Sequence, residues 1–348
     1  MAAPRREGAS GRGATDGGAA KAAGHGPVYA VRARGFDMSV LDKTAQPPPG
    51  SMHAMSIDMD AARDFMATHA RTLDRRRFAL LDGGTDTAGA LAALDGYRNP
   101  DGGYGWGLEG DLRSPESQPA AALHAFEVFA EAGPAPQATA LCGWLDEVTL
   151  ADGGLPLALP MSITAGSGPW WAGADATQSS LQITSVVAAR AWRAAERDPS
   201  IADHPWLARA TDYTLTEIEK LQSSPGGYVL EFCIHFLDAV HGERPEAAGL
   251  LERVFSFVPA DGHVPVHGGE ADETLRPLDL APDPDGPARA LLDPAVVEAD
   301  LERLASGQQD DGGWTVDFVS RSPAGKLDWR GYATVAAVDV LTRNGRAG

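Results

Sequence analysis

The chain has 348 residues, which is enough for one large domain, or two ordinary ones, with a sizeable core. The whole chain carries a net charge of −19, and the first 54 residues carry seven Lys and Arg against four Asp and Glu, so the remainder carries −22. A body of this charge repels nucleic acid and anionic lipid. Two cysteines exclude a disulfide framework and favour a reducing compartment, so we expect a cytoplasmic protein.

The N-terminal segment, residues 1–54, differs in composition from the rest. It is rich in Gly, Ala, Pro and Ser, which is typical of disorder. Met52, Met55 and Met59 offer later starts, so the segment is predicted to be a disordered or non-native extension. No apolar stretch of the length of a membrane span and no secretory signal is found. Residues 55–348 are predicted to form a single domain.

Five glycine-rich joints recur along this domain. Measured between their last glycines they lie 51, 73, 35 and 51 residues apart, an irregular repeat averaging 52.5. A recurring turn between helical segments indicates a repeat architecture. The joints are Asn99–Tyr104, Ala151–Leu155, Ser224–Tyr228, Ala260–Val264 and Gln308–Trp314.

Two kinds of helix alternate between the joints. Asp328–Leu341 is apolar nearly all round, as in a buried helix, whereas the segment that opens at Asp293-Pro294 has one solvated face. Each joint follows an outer helix of the second kind and precedes an inner helix of the first kind. Inner helices are predicted at 59–81, 117–132, 176–195, 228–241 and 328–343, with a weaker one at 270–290. Outer helices are predicted at 85–97, 136–149, 205–222, 244–258 and 293–306.

The last joint carries a family resemblance. Its pattern Gln308-x-x-Asp311-Gly312-x-Trp314 resembles the prenyltransferase/squalene oxidase repeat of the terpenoid cyclase and protein prenyltransferase superfamily. The stretch from Asn99 to Trp106 looks like a degraded copy. The resemblance implies an all-α fold, an (α/α)6-like toroid of helical hairpins, and an isoprenoid-handling ancestry. In this family Gln308 and Trp314 would tie a turn to the neighbouring helix rather than contact a substrate.

The toroid prediction also gives a position for the pocket. Four joints are followed by a long stretch before the next inner helix, at 104–116, 155–175, 263–271 and 314–327. All four would lie at the end of the ring where the inner helices begin. We therefore expect the pocket there, where helix N-termini favour an anionic ligand group.

Three carboxyl groups are candidate catalytic acids. Glu109 and Asp111 stand between glycines, next to Trp106 as a substrate-binding candidate, although an exposed loop would explain them too. Asp279, flanked by two leucines, interrupts the sixth inner helix among prolines. Burial would let such a group keep its proton, and departures from local rules collect at functional sites. An acidic surface loop is the alternative for this segment.

Five further residues are candidates for substrate binding. Trp170 and Trp171 could wall a pocket and stabilise a cation through their ring faces, or plug the ring. Asp175 could contact the substrate or simply cap the helix at Ala176. At the start of the last inner helix, Arg330 could meet an anionic group and Tyr332 could line the cavity, although a structural role is equally open for both.

The sequence gives less support for a metal or cofactor site than for the catalytic acids. Glu231-Phe232-Cys233, with His235, His263 and His267, imitates the zinc-binding spacing of protein prenyltransferases, but residues two apart on a helix point in opposite directions. No cofactor is therefore predicted, and a buried Cys233 is the simpler interpretation. The Asp-x-Asp-Asp run of protonating cyclases is absent.

Three function classes remain from the sequence. The first is an isoprenoid-handling enzyme that protonates a small apolar or isoprenoid ligand from a buried Asp. The second is a toroid without catalysis that binds a lipid or peptide. The third is a carbohydrate-active toroid with paired carboxylates. The substrate, the product and the oligomeric state do not follow from the residues.

Overall fold

Helices dominate the computed structural model, which describes residues 31–32, 56–267, 269 and 273–347. Within these residues the α-helices are α1 (Met59–His69), α2 (Thr72–Leu81), α3 (Thr87–Asp95), α4 (Pro119–Ala132), α5 (Pro136–Val148), α6 (Pro169–Ala172), α7 (Leu181–Ala195), α8 (Pro199–Ala202), α9 (Pro205–Glu219), α10 (Gly227–Ala239), α11 (Ala247–Phe255), α12 (Pro277–Leu280), α13 (Pro294–Ala305) and α14 (Pro323–Arg343). Four short strands are β1 (Val31–Arg32), β2 (Val264–Pro265), β3 (Thr274–Leu275) and β4 (Thr315–Val316). The prediction of an all-α protein is confirmed.

Most helix positions agree with the sequence pattern, but the predicted helix 59–81 is wrong. It is two helices, α1 and α2, because Ala70 and Arg71 are extended, with ψ of 153° and 156°. The extended backbone lets the Arg71 guanidinium donate to the Leu108 carbonyl at 2.9 Å and to Asp74 at 2.7 Å. A tertiary contact thus overrides a continuous helical pattern.

Three inner helices begin or extend differently from prediction. α7 begins at Leu181 with Ser180 as its N-cap, five residues later than predicted, and α14 begins at Pro323 rather than at 328. The weak helix at 270–290 is only the single turn α12 and a 3-10 turn at Arg289–Leu291. Pro282 and Pro284 follow α12 directly, and proline cannot continue a helix.

The predicted alternation of helix types is visible in the burial pattern. The helices α4, α7 and α10 are buried along most of their length, whereas α5, α11 and α13 bury one face. α4 packs against α7, and α7 against α10, while α2 packs against α4. The last helix, α14, packs against α2. The one-faced helices α5, α9 and α11 lie against these buried ones.

The glycine joints are one repeated turn. One glycine of each joint has a positive φ, a conformation that suits glycine: Gly102, Gly153, Gly226, Gly262 and Gly312. In four joints the preceding aspartate side chain accepts from the N–H two residues on, at 2.9 Å for Asp101, 3.1 Å for Asp152, 3.1 Å for Asp261 and 3.2 Å for Asp311. The sequence repeat is therefore also a structural one.

The side chains of the Gln308–Trp314 joint connect it to the start of α1 and to α13. Gln308 accepts from the Asp58 N–H at 2.8 Å and donates to the Asp58 carbonyl at 2.7 Å, which joins the joint to the start of α1. Trp314 is fully buried, and its indole N–H donates to the Leu304 carbonyl at 2.8 Å. The prediction that these two residues serve as scaffold is confirmed.

The predicted extension, residues 1–54, lies mostly outside the described residues. Within it, Val31–Arg32 forms β1, which pairs antiparallel with β4. No helix of the described residues has the length and hydrophobicity of a membrane span.

The tight turn at Gly312 gives a test of this scaffold. A Cβ at Gly312 would collide with the Ala61 carbonyl oxygen, and the φ of +87° is strained for any other residue. We expect Gly312→Ala to lower the free energy of unfolding by about 2 kcal/mol or more. Urea denaturation followed by circular dichroism measures it.

Gly143 provides the control for this substitution. It lies inside α5 with nothing within 4 Å of a built Cβ, so Gly143→Ala should raise stability by about 0.5–1 kcal/mol. Equal effects at the two glycines would contradict the proposed role of the joint.

Candidate functional site

Two adjoining cavities lie among the buried helices. The first, the inner chamber, has a volume of about 110 Å³, and most of its wall is apolar or aromatic, including Leu278, Leu304, Phe318, Trp329 and Val340. The second, the wide chamber, has a volume of about 430 Å³ and a wall rich in charged side chains. Six residues line both: Arg190, His235, Pro282, Tyr332, Ala336 and Val340.

Two carboxyl groups face the inner chamber. Glu231 of α10 is 1% exposed, and its Oε2 has no hydrogen-bond partner among the described residues. Burial raises the pKa of Glu231 well above its ordinary value, and the nearby Asp279 carboxyl adds to the effect. Burial and the neighbouring Asp300 together raise the pKa of Asp279 to about 8. Both groups therefore hold a proton at neutral pH.

His235 stands one helical turn after Glu231 on α10. Its Nε2 lies 2.7 Å from the Asp279 carbonyl oxygen, and since a carbonyl only accepts, Nε2 must carry the hydrogen. Burial, together with the positive charge of Arg190, lowers the pKa of His235 to about 3. The imidazole is neutral, and Nδ1 is an acceptor without a hydrogen-bond partner among the described residues.

Pairs of arginines with carboxyl groups line the wide chamber. Arg77 of α2 donates to Glu131 at 2.7 Å, Arg193 of α7 donates to Asp238 at 2.6 Å, and Arg343 pairs with Asp339 at 3.0 Å. These residues belong to the C-terminal halves of α2, α4, α7, α10 and α14. Opposite charges are matched here, so the chamber carries no strong excess of positive charge.

Glu127 lies at the centre of these ion pairs. Its carboxylate is 3.2 Å from Arg190, 3.3 Å from His124 and 3.4 Å from Arg77, and it accepts from the Tyr332 hydroxyl at 2.9 Å. Burial alone would raise the pKa of Glu127, but the hydrogen bond from His124 and the positive charges of Arg77 and Arg190 lower it below its ordinary value. Glu127 is therefore ionised.

A buried pair continues from Glu127 away from the chambers. His124 Nε2 lies 3.0 Å from Glu109 Oε2. Burial would lower the pKa of His124, but hydrogen bonds to Glu109 and Glu127 outweigh it and raise the pKa above its ordinary value. His124 thus lies between two acidic side chains, Glu109 and Glu127, and joins the loop around Glu109 to the centre of the structure.

The predicted catalytic acids do not meet in one place. Asp279 lines the inner chamber, as expected for a catalytic acid. Glu109 and Asp111 are fully buried and line neither chamber, because Trp329 packs against Gly110 between this loop and the inner chamber. Burial raises the pKa of Asp111 to about 6, and Glu109 adds to the rise. The alternative explanation of these two residues, an exposed loop, is therefore wrong, whereas their prediction as catalytic acids stays a prediction.

The three predicted tryptophans lie outside the chambers. Trp106 is 58% exposed and donates to Asn99 at 2.9 Å, so it is a surface residue. Trp171 is buried as a plug in the core, and Trp170 packs under the Arg321 guanidinium at 5.3 Å. Asp175 is exposed and accepts from the Thr177 N–H at 2.9 Å, so it shapes a turn rather than capping α7.

Arg330 and Tyr332 have different positions although they are two residues apart. Arg330 forms a bidentate pair with Asp311, at 2.7 and 2.8 Å, and so braces the last joint. Tyr332 lines both chambers, in agreement with the prediction that it faces a cavity. Residues two apart on a helix point in opposite directions, which explains the difference.

Of the four stretches that were expected to form the pocket, only 314–327 contributes to the inner chamber, and none contributes to the wide chamber. Val316 and Phe318, from the stretch after the last joint, line the inner chamber. The wide chamber lies at the other end of the buried helices. The long stretches at the expected end are bound to each other: the Gly168 N–H donates to the Asp111 carbonyl at 2.8 Å, and Arg113 donates to Asp328 at 2.5 Å. These contacts cover the end where the pocket was expected.

Several chamber residues were missed by the sequence interpretation. The signal was present, because each inner helix carries charged or polar residues at helical spacing on an otherwise apolar surface. A charge on a buried helix faces another polar group, and so predicts an internal site. The missed residues are Arg77 on α2, Glu127 and Glu131 on α4, Arg190 and Arg193 on α7, and Asp238 on α10.

The zinc-like spacing does not produce a cluster of ligands. Glu231 and His235 face the inner chamber, but Cys233 lies between them in sequence and is buried away from both chambers. Burial also raises the pKa of the Cys233 thiol, which opposes the thiolate that a metal needs. Among the described residues, no three His, Cys, Asp or Glu side chains lie together as a metal site would need.

The comparisons with known proteins add no assignment. No protein-family model matches the chain, and no curated protein is significantly similar to it. The functional interpretation therefore depends on the chambers themselves.

The protonated state of Asp279 predicts how stability depends on pH. Its pKa rises from about 3.8 in the unfolded chain to about 8 in the folded one, so the folded state binds more protons between these values. Stability is therefore lost as the pH rises through this window. We expect Asp279→Asn to flatten the fall in Tm between pH 5 and 9, measured by differential scanning fluorimetry.

The exposed Asp285 in the same loop is the control for this measurement. Asp285→Asn should leave the slope of Tm against pH as in the wild type. Some slope should persist in Asp279→Asn because Glu231 and Asp111 also titrate with raised pKa values. An unchanged slope in Asp279→Asn would show that Asp279 does not retain its proton.

The buried pair of Arg77 and Glu131 gives a second stability test. Arg77→Met leaves Glu127 and Glu131 without a cation at 3.4 and 2.7 Å, so we expect a loss of about 3–5 kcal/mol in unfolding free energy. Arg76→Met is the matched control, because Arg76 and its partner Asp86 are 48% and 62% exposed. That substitution should cost about 0–1 kcal/mol. Similar losses in urea denaturation for both variants would contradict the buried network.

Proposed function

We propose that the helices form a closed α/α toroid. The support is the order of packing: α2, α4, α7 and α10 follow one another, α12 packs against α10, and α14 packs against α2. The repeated turn at the joints supports the same arrangement, since each joint leads from an outer helix towards an inner one. Together with the Gln308–Trp314 pattern, this favours membership of the superfamily of terpenoid cyclases and protein prenyltransferases.

We infer that the protein is an enzyme that handles an isoprenoid and uses the inner chamber for acid catalysis. The observation that carries this proposal is the pair of protonated carboxyl groups, Glu231 and Asp279, in an apolar and aromatic cavity. Burying two carboxyl groups side by side costs stability, and such placement is typical of groups with a catalytic task. The apolar wall matches a prenyl chain.

The pKa of the acid limits which atoms of a substrate it can protonate. A carboxyl group whose pKa burial has raised to about 8 is a weak acid, and proton transfer is most effective near the operating pH. Such an acid suits an oxygen atom of the substrate better than a carbon–carbon double bond. The proton passes to that oxygen, the C–O bond breaks with its electron pair on oxygen, and a carbocation remains.

The chamber also has groups for the later steps. Phe318, Trp329 and Tyr332 form an edge-to-face series, with ring centroids 5.2 and 5.6 Å apart, and aromatic faces stabilise a cation. His235 Nδ1 is a neutral acceptor that can take a proton from the carbon next to the cation. Return of that proton through solvent to the carboxylate restores the starting state.

The wide chamber favours a second candidate function. Its Arg–carboxylate pairs suit a polar ligand, and paired carboxyl groups near aromatic rings are also found in carbohydrate-active toroids. If the protein consumes an oligosaccharide, and not a prenyl compound, when it is incubated with each, this candidate would be supported. Co-purified lipid without product would support the non-catalytic toroid instead.

The acid role is tested by turnover of a panel of prenyl alcohols, epoxides and diphosphates, followed by gas chromatography with mass spectrometry. Because the acid must be protonated, activity should fall as the pH rises through about 8. Asp279→Asn should lower kcat by about 100-fold or more, since general acids contribute about 10²–10⁴-fold.

Asp285→Asn, in the same loop but exposed, should retain wild-type activity. The Tm of each variant at pH 5 separates lost chemistry from lost folding. Wild-type turnover in both Asp279→Asn and Glu231→Gln would exclude the inner chamber as the site of acid catalysis.

A further inference from the structure

Two polar atoms in the inner chamber are left without a hydrogen-bond partner among the described residues. One is Glu231 Oε2, on a side chain that is 1% exposed, and the other is His235 Nδ1. Unsatisfied buried polar groups are uncommon in proteins and each calls for an explanation. Both residues line the same chamber.

The two atoms have opposite hydrogen-bonding roles. The protonated Glu231 carboxyl offers an O–H donor, since burial keeps its proton on. His235 Nδ1 offers a lone pair, because Nε2 uses its hydrogen on the Asp279 carbonyl at 2.7 Å. A ligand that satisfies both must supply an acceptor to Glu231 and a donor to His235.

Their spacing limits the ligand further. Residues four apart on a helix share a face, with Cβ atoms about 5–6 Å apart. Glu231 and His235 therefore lie on the same side of α10, and both line the inner chamber. A hydroxyl group carries an acceptor and a donor on one atom, so it fits between the two side chains.

The charges around the chamber disfavour an anion at this position. Phosphate and carboxylate groups supply only acceptors and would leave His235 Nδ1 unsatisfied. The two arginines of the chamber already have acidic partners: Arg303 pairs with Asp300, and Arg190 lies 3.2 Å from Glu127. A neutral group therefore suits the chamber better than a diphosphate does.

We propose that the inner chamber binds a neutral prenyl-type alcohol, whose hydroxyl accepts from Glu231 and donates to His235 Nδ1. The apolar wall, with Leu278, Phe318 and Val340, holds the hydrocarbon part. This assignment rests on the proposed function for its prenyl character. It names the substrate class and gives Glu231 and His235 the task of selecting it.

Isothermal titration calorimetry with three matched probes that carry one five-carbon prenyl unit, small enough for a chamber of about 110 Å³, tests this assignment: 3-methylbut-2-en-1-ol, its methyl ether and its diphosphate. The ether keeps the oxygen acceptor and the chain but has no O–H for His235. Leaving a buried acceptor unsatisfied is costly, so we expect the ether to bind about tenfold or more weakly than the alcohol. The diphosphate should also bind more weakly than the alcohol.

A double-mutant cycle assigns that difference to His235. In His235→Phe the acceptor is gone, so alcohol and ether should bind with equal affinity. His241→Phe is the matched control, because His241 is exposed beyond the end of α10, and it should keep the tenfold preference. If His235→Phe does not fold, nitrogen-15 NMR of wild-type imidazoles provides the test: the His235 Nδ1 resonance should shift with the alcohol and not with the ether.

The outcomes separate this proposal from the proposed function. Equal binding of alcohol and ether by the wild type, or tighter binding of the diphosphate, would overturn the hydroxyl assignment while leaving acid catalysis standing. Selective binding of the alcohol without any product would uphold the assignment and overturn the catalytic proposal.

Discussion

Four helices meet at the carboxylate of Glu127, and the centre of the structure depends on this contact. Glu127 belongs to α4, and its partners include Arg77 from α2, Arg190 from α7 and Tyr332 from α14. A carboxylate at this depth is stable only with cations and hydrogen-bond donors around it. The same requirement fixes the rotation of each helix about its own axis, because the partner side chains must all point to one place.

The difference between the chambers follows from that arrangement. Around Glu127 the wide chamber is lined by carboxyl groups that pair with arginines, such as Glu131 with Arg77 and Asp238 with Arg193. Glu231 and Asp279 lie beyond Arg190, among apolar side chains, and burial raises their pKa values. One cavity therefore holds carboxyl groups paired with arginines, and the other holds two carboxyl groups among apolar side chains, although the residue types are the same.

Sequence reasoning recovered the parts of this fold that local chemistry sets. The turn at Gly312 could be predicted because its positive φ favours glycine. The structural roles of Gln308 and Trp314 could be predicted because both residues belong to the same sequence motif. Sequence reasoning failed where contacts between residues far apart in the chain determine the structure. The break between α1 and α2 allows Arg71 to contact Leu108, and the buried Glu109 contacts His124. Neither contact can be predicted from the residues next to it in the chain. Asp279 was singled out because prolines interrupt a predicted inner helix around it, and Tyr332 because it stands near the start of the last inner helix; both line the inner chamber.

By itself the sequence determined the helical class, the alternation of buried and one-faced helices, and the repeated turn between them, because each depends on residues near in the chain. Only the tertiary structure decided which polar side chains share a cavity and which keep their protons. Hydrogen-bond partners such as Glu127 and Tyr332 are 205 residues apart, and burial is a property of the assembled helices. The joint Gln308–Trp314 thus indicates the architecture, whereas the candidate chemistry lies in Glu231, His235 and Asp279.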